Sequence, residues 1–308
     1  MSNGIRRSLP FADWPESDQE LWLGLIADGD ILEGGGPGAP WAPATKANTR
    51  KAYAYWLQWL NTTGQLDPGS DPLDRITPDR VAAYIESRRG DVASLTTFVY
   101  ILDLLRLAQA VSNHDWTWLK GIKNRLWARA TPARDKTSKI RHASDLFALG
   151  LDLMNEADGI TCRYNPFAAE GQYRDGLIIA LLAARPVRLK NLTSIEIGRH
   201  LVQADQTYWL VFEAREVKNR KHIEVSLPEV LTEYLDRYLM VHRRRLLGAT
   251  NSDRLWISGR GTPLGDSSIR HQLKQRTAQA FGEAITPHLF RDCAATSIAI
   301  DDPEHVRV

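Results

Sequence analysis

Apolar residues recur at three- and four-residue spacing through most of the chain, which predicts a largely helical protein. From residue 45 to about 129 the pattern keeps that period. TKANTRKAYAYWLQWLNTTG sets Tyr53, Trp56, Leu57 and Leu60 on one face, and ITPDRVAAYIESRRG turns Val81, Tyr84 and Ile85 inward after a Thr-Pro start. SLTTFVYILDLLRLAQAV and DWTWLKGIKNRLWARA predict two more helices, and four of this length bury a small common core. Upstream, Ser17 and Glu20 have capping-box spacing ahead of a stripe of Leu21, Trp22 and Leu25. GGGPGAP (34–40) then predicts a flexible linker.

Beyond residue 142 the pattern is mixed. Helices are predicted at about 143–157 and 170–184, and HLVQ, TYWLVFEAREV and HIEVSLP alternate as strands do. LPEVLTEYLDRYLMVHRRRLLG reads as a long amphipathic helix and SSIRHQLKQRTAQAFG as another. A last helix is predicted in ITPHLFRDCAATSIAI, with Thr286 as N-cap, Pro287 in the first position, and Phe290, Ala294 and Ile298 on the buried side. The fold class is therefore mainly α in two domains. Segment 1–44 is a tail with a short helix and a Gly/Pro linker, 45–128 a helical domain, and 129–142 a basic connection. Residues 143–308 form a mixed α+β domain with a small antiparallel sheet.

Composition narrows the class. The 308 residues are 43% hydrophobic and 25% charged, enough for two cores. No apolar run reads as a membrane span, and the N-terminus lacks the apolar stretch of a secretion signal. Cys162 and Cys293 are too far apart for metal-ligand spacing and read as small buried side chains in a reducing compartment. These features predict a soluble intracellular protein with no membrane partner. The net charge of +2 divides unevenly: residues 1–44 hold two arginines against seven acids, so the remaining 264 residues stand at +7. A basic body suggests a polyanionic partner. The acidic leader reads as a tail packed on its own protein, or as a helix docking on another subunit.

Four basic groups carry candidate chemistry. Arg188 in ARPVRLKNLTSI starts a short helix anchored by Leu189, Leu192 and Ile195, anchors that its neighbour Arg185 lacks. Lys218 lies at a predicted hairpin tip. His288 and Arg291 share the first turn of the last helix, where the helix dipole and free N–H groups favour an anion. Each alone has an ordinary reading, as a surface arginine, a turn lysine or a capping histidine. Their order is less ordinary.

Arg on a helix start, Lys on a hairpin, then His-x-x-Arg resembles the tyrosine recombinases, the phage integrase family. PVRLKNLTSI resembles the family's first box, VKNRKHIEVSLP its hairpin lysine, and TPHLFRDCAATSIA its second box. The helical 45–128 region followed by basic 129–141 resembles its SAM-like core-binding domain and linker. The resemblance implies a site-specific recombinase that cleaves duplex DNA through a 3′-phosphotyrosine, without metal, ATP or other cofactor. It implies that Arg188 and Arg291 grip the scissile phosphate, that Lys218 protonates the leaving 5′ oxygen, and that His288 serves proton transfer or hydrogen-bonds the phosphate. A C-shaped clamp around DNA is implied, as is a tetramer on paired recombination sites in the complete protein. Location would be cytoplasmic and nucleoid-associated, in a prokaryote or phage. Further DNA-facing candidates are Lys46, Arg50, Lys51, Arg129, Arg134, Lys136, Lys139, Arg141, Arg220, Lys221, Arg270 and Lys274.

Three departures qualify the expectation. Asn191 stands where the family often has an acid, and Asp292 follows Arg291, where it could pair with that arginine or orient it. Seventeen residues follow Arg291 and none is tyrosine or tryptophan, so the nucleophile is missing from this chain. DDPEHVRV announces a helix and stops, which predicts a truncated recombinase that binds DNA without cutting it. Competing readings are a naturally short DNA-binding regulator or assembly partner, and a type IB topoisomerase or telomere resolvase.

Overall fold

The computed structural model describes residues 7–30, 34–131 and 135–305, and the chain divides into two compact units, 1–135 and 136–308. The candidate Arg134 lies outside the described residues.

The first unit holds α1 (Glu16–Ile26), α2 (Pro43–Thr62), α3 (Pro78–Arg88), α4 (Ser94–Val111) and α5 (Thr117–Arg129). Proline fits the first position of α2 and α3, where its missing N–H costs nothing; on α3 the Thr77 side chain accepts from Arg80 N–H at 3.3 Å. The predicted inward faces are buried: Tyr53, Trp56, Leu57 and Leu60 meet Val81, Tyr84, Ile101, Leu104 and Leu107 in one cluster. By length and composition α4 could cross a bilayer, contrary to the sequence reading, but its Ile101, Leu104, Leu105, Leu107 and Ala108 face this core.

The acidic leader belongs to the same core. Leu9, Trp14, Trp22 and Leu25 are buried there, and the Asp18 carboxylate is fully buried. It accepts from Tyr53 Oη at 2.5 Å and Arg75 Nη1 at 2.6 Å. Two local expectations fail. α1 starts behind Pro15 with no side-chain cap, so Ser17 is not a capping-box residue. Nor is the glycine segment free-swinging. Gly36 N–H donates to Ala27 O at 2.9 Å and Gly38 N–H to Leu25 O at 2.8 Å, satisfying carbonyls at the end of α1. A Cβ on Gly36 would lie 2.1 Å from Gly24 O, so glycine is there for close approach.

The second unit comprises α6 (Ala143–Glu156), α7 (Ala168–Ala184), α8 (Leu189–Thr193), β1 (Leu201–Ala204), β2 (Thr207–Phe212) and β3 (Ile223–Ser226). There follow α9 (Leu231–Arg237), a π-helical turn (Tyr238–His242), α10 (Arg243–Leu247), α11 (Asp266–Phe281) and α12 (Leu289–Asp301). α7 is buried almost all round and forms the axis of the unit; its buried charges are paired, Arg174 Nη2 donating to Asp175 Oδ1 at 2.7 Å and Arg276 Nε to Asp175 Oδ2 at 3.2 Å. It crosses α6 at Gly150 and Gly176, where a Cβ on Gly176 would lie 2.6 Å from Gly150 O. The sheet is antiparallel in the order β1-β2-β3, with Leu210 opposite both Leu201 and Val225. Tyr208, Leu210 and Phe212 alternate inward along β2.

Four sequence expectations shift here. β2 ends at Phe212 rather than Val217, because Glu213 and Glu216 close a capping box around a 3₁₀ turn at Ala214–Glu216. α12 begins at Leu289, two residues late, after a turn in which Leu289 N–H donates to Thr286 O at 2.9 Å. Its buried ridge is Leu289, Phe290, Cys293 and Ser297, whereas Ile298 is 60% exposed. Cys293 is buried as expected, but Cys162 is exposed.

A cationic cleft as the candidate functional site

Each candidate side chain is set by a different element. Arg188 caps α8, whose Leu192 is buried and accepts from Trp256 Nε1 at 2.9 Å, so the arginine's backbone is fixed from below. Lys218 follows the buried Val217 in the β2–β3 connection. There Asn191 Nδ2 donates to Glu216 O at 3.2 Å, tying α8 to the turn that carries the lysine. Glu216 also binds Arg199 and His200; its carboxyl is held below the ordinary range because hydrogen bonds and these cations outweigh desolvation, the largest and opposing contribution. His288 and Arg291 sit at the start of α12, one before and one within its first turn.

These elements bring Arg188, Lys218, His288 and Arg291 to one cleft of about 700 Å³, lined also by Val187, Leu189, Asn219, Arg270 and Pro287. Among the described residues, three guanidiniums, one ammonium and an imidazole line it, without a carboxylate. Arg291 Nη1 donates to Pro186 O at 2.8 Å, which braces the guanidinium against the first-box strand of chain. Among the described residues the side chains of Arg188, Lys218, Arg270 and His288 have no hydrogen-bond or ion-pair partner. A concave surface with unneutralised charge of one sign concentrates field and attracts anions. Paired guanidinium N–H groups suit a phosphate in particular.

Arg270 and Asn219 are additions to the four residues first singled out. Arg270 is exposed on α11 beside the buried Ile269, and Asp266 Oδ1 accepts from Thr193 Oγ1 at 2.7 Å, locking α11 to α8. Helical spacing marks Arg270 as outward but not that this face turns to the cleft. Arg185, the rival of Arg188, points elsewhere: its Nε donates to Ser226 O at 2.8 Å and Nη1 to Ala184 O at 2.9 Å.

The remaining basic candidates differ in their surroundings. Arg129, Arg220, Lys221 and Lys274 are exposed, and Lys46 is half-buried. Arg50 lies 4.7 Å over the Phe11 ring and Lys51 5.7 Å over Tyr55. Lys136, Lys139 and Arg141 are engaged within the second unit, by Asp292 at 3.6 Å, Glu283 at 3.2 Å and the Phe281 ring at 5.7 Å. Asp292 thus pairs with Lys136. The neighbouring Arg291 instead donates to a backbone carbonyl.

A cleft rich in cations, on a helix–sheet–helix frame, suits a phosphate-handling protein. The comparisons specify which. Residues 154–301 match the model of the phage integrase family. The tyrosine recombinase XerD of Staphylococcus saprophyticus is 30% identical over 259 residues, covering 82% of this chain and 79% of that protein. XerD of Staphylococcus haemolyticus is 32% identical over 127 residues, 41% of each chain. The crystal structure of the XerH site-specific recombinase bound to a palindromic difH substrate shares the fold, with a TM-score of 0.59 at 16% identity over 85% of this chain and 69% of that one. The chain belongs to the phage integrase family of tyrosine recombinases and is an integrase-like DNA recombinase by class.

Proposed function

We propose that the cleft receives the scissile phosphodiester of duplex DNA during site-specific recombination. What supports this is the convergence of Arg188, Lys218, His288 and Arg291 on one cleft that, among the described residues, is lined by no acid. Arg188 and Arg291 hold the non-bridging oxygens and stabilise the charge that builds on the pentacoordinate phosphorus. A tyrosine hydroxyl forms the new O–P bond as the bond to the 5′ oxygen breaks, and Lys218 gives that oxygen its proton. His288 hydrogen-bonds the phosphate or accepts the tyrosine proton. Arg270 reaches a neighbouring phosphate, since one phosphodiester cannot balance four fixed cations. Lys46, Arg50, Lys51, Arg129, Arg220, Lys221 and Lys274 supply further backbone contacts, in an assembly of several subunits on paired, specific sites.

All nine tyrosines of the sequence are among the described residues, and none lines the cleft. A polypeptide of residues 1–308 therefore binds duplex DNA and leaves both strands intact. The test is duplex affinity across salt, together with covalent trapping on a nicked duplex. Log affinity is expected to fall linearly with log salt, by about 0.9 per phosphate neutralised, with no adduct formed. A flat salt response would remove the phosphate reading. An adduct would show that one of the nine tyrosines reaches the cleft.

A further inference from the structure

The acid beside the clamp arginine raises a problem for phosphate binding. Asp292 follows Arg291 directly, and a carboxylate there can either occupy the guanidinium or repel an incoming phosphate. It does not occupy it. Lys136 Nζ stands 3.6 Å from Asp292 Oδ2, while Arg291 Nη1 is turned to Pro186 O.

Lys136 is not a loose surface lysine that happens to be near. The chain that carries it is fastened along the face of α12 that Cys293, Ser297 and Asp301 form at four-residue spacing. Arg141 N–H donates to Cys293 Sγ at 3.4 Å, and Ala143 N–H to Ser297 Oγ at 2.7 Å. His142 Nε2 lies 3.2 Å from Asp301 Oδ1. Lys139 pairs with Glu283 at 3.2 Å, and the Arg141 guanidinium lies 5.7 Å over the Phe281 ring, both at the approach to α12. Residues 136–143 thus form a strap in fixed register with the helix that bears Arg291. That register sets the ammonium beside Asp292, the acid next to Arg291 in sequence.

We infer that Lys136 is a positioning residue: it neutralises Asp292 and holds that carboxylate away from Arg291, so the guanidinium stays available to DNA. This rests on the cleft being the phosphate site. Both partners are partly exposed, with side chains 55% and 39% accessible, so the pair contributes little to folding and its effect appears in anion binding. It also gives Lys136 a role inside the protein, where basic linker residues would otherwise be read as direct DNA contacts.

A double-mutant cycle separates the possibilities, with duplex affinity and its salt dependence measured for each variant. Lys136→Ala is expected to weaken binding about fivefold at low salt, the order of an unscreened neighbouring charge. The thermal midpoint and the salt slope should stay unchanged. Asp292→Asn in the Lys136→Ala background restores the affinity, and Lys136→Arg retains it. Two results overturn the inference. One is unchanged affinity in Lys136→Ala. The other is a loss that Asp292→Asn does not restore, with the salt slope shallower by about 0.9, which marks a direct phosphate contact. Arg291→Ala is measured alongside. If it binds as tightly as the parent, the phosphate reading itself fails; if it weakens while Lys136→Ala does not, only the positioning role falls.

Discussion

Arg185 and Arg188 lie three residues apart in the same short stretch, yet they face different tasks. The apolar anchors at Leu189, Leu192 and Ile195 distinguish Arg188 already in the sequence, because they define a helix that starts there. What becomes of Arg185 is not legible locally. Its partner Ser226 O is 41 residues away, on β3. The two therefore predict opposite phenotypes. Arg188→Ala should weaken duplex binding by about 1.5–3 kcal/mol, the range for a hydrogen bond to a charged group, with little change in melting temperature. Arg188→Lys should recover the charge but only part of the affinity, since an ammonium cannot grip two oxygens in a plane. Arg185→Ala should lower the melting temperature and leave DNA affinity alone. Anisotropy titrations and thermal melts of the three variants check all of this. Similar logic explains Asn191: it bonds the backbone at Glu216, so the absence of a carboxylate at this position leaves the turn before Lys218 tied to α8.

Among the elements, interiors followed the apolar period and ends did not. α2, α3, α4, α7 and α11 run close to where three- and four-residue spacing puts them. The β2 terminus and the start of α12 were set by short-range hydrogen bonds that the apolar period does not report, a capping box at Glu213 and Glu216 and a turn at Thr286, whereas the buried ridge of α12 depended on a distant segment, the strap lying on Cys293 and Ser297. The long amphipathic helix after Pro228 exists, but it is interrupted by the π-helical turn Tyr238–His242. That turn buries His242, stacked at 3.9 Å on Tyr173, with neither ring nitrogen hydrogen-bonded among the described residues. Burial pushes the imidazole below its ordinary value of 6.5, and the Asp158 carboxylate only partly opposes this. The unfolded chain then binds the extra proton first as pH falls. The neutral histidine's contribution is thus complete above about 6.5 and is lost progressively as pH drops toward the folded value. Urea melts between pH 8 and 5 should show this loss. His242→Phe, which keeps the stacked ring, should flatten it; an unaltered pH profile would mean that another group carries the slope.

At the scale of the whole chain, the leader packs on its own protein, the first of the two readings that the sequence offered. Composition presents residues 1–44 as an acidic tail, but Asp18 is the buried counter-ion of Arg75 and a partner of Tyr53, so the first helical unit is built around it. Burial, reinforced by Asp18, raises the Tyr53 hydroxyl far above its usual value, which keeps it a donor at every working pH. Asp18→Ala would strand a guanidinium in the core and should cost about 3–5 kcal/mol, read as an early loss of helicity on heating. A change within about 0.5 kcal/mol, typical of surface sites, would show that the leader is dispensable. The helical period, the division into an all-helical and a mixed half, and the order Arg, Lys, His-x-x-Arg are written in the linear chain, because periodicity and spacing are local properties. Which cations share a cleft, which acid faces Lys136 and which segment completes a core come from residues between 30 (Arg188 to Lys218) and 156 (Lys136 to Asp292) positions apart, and no local pattern encodes those partners.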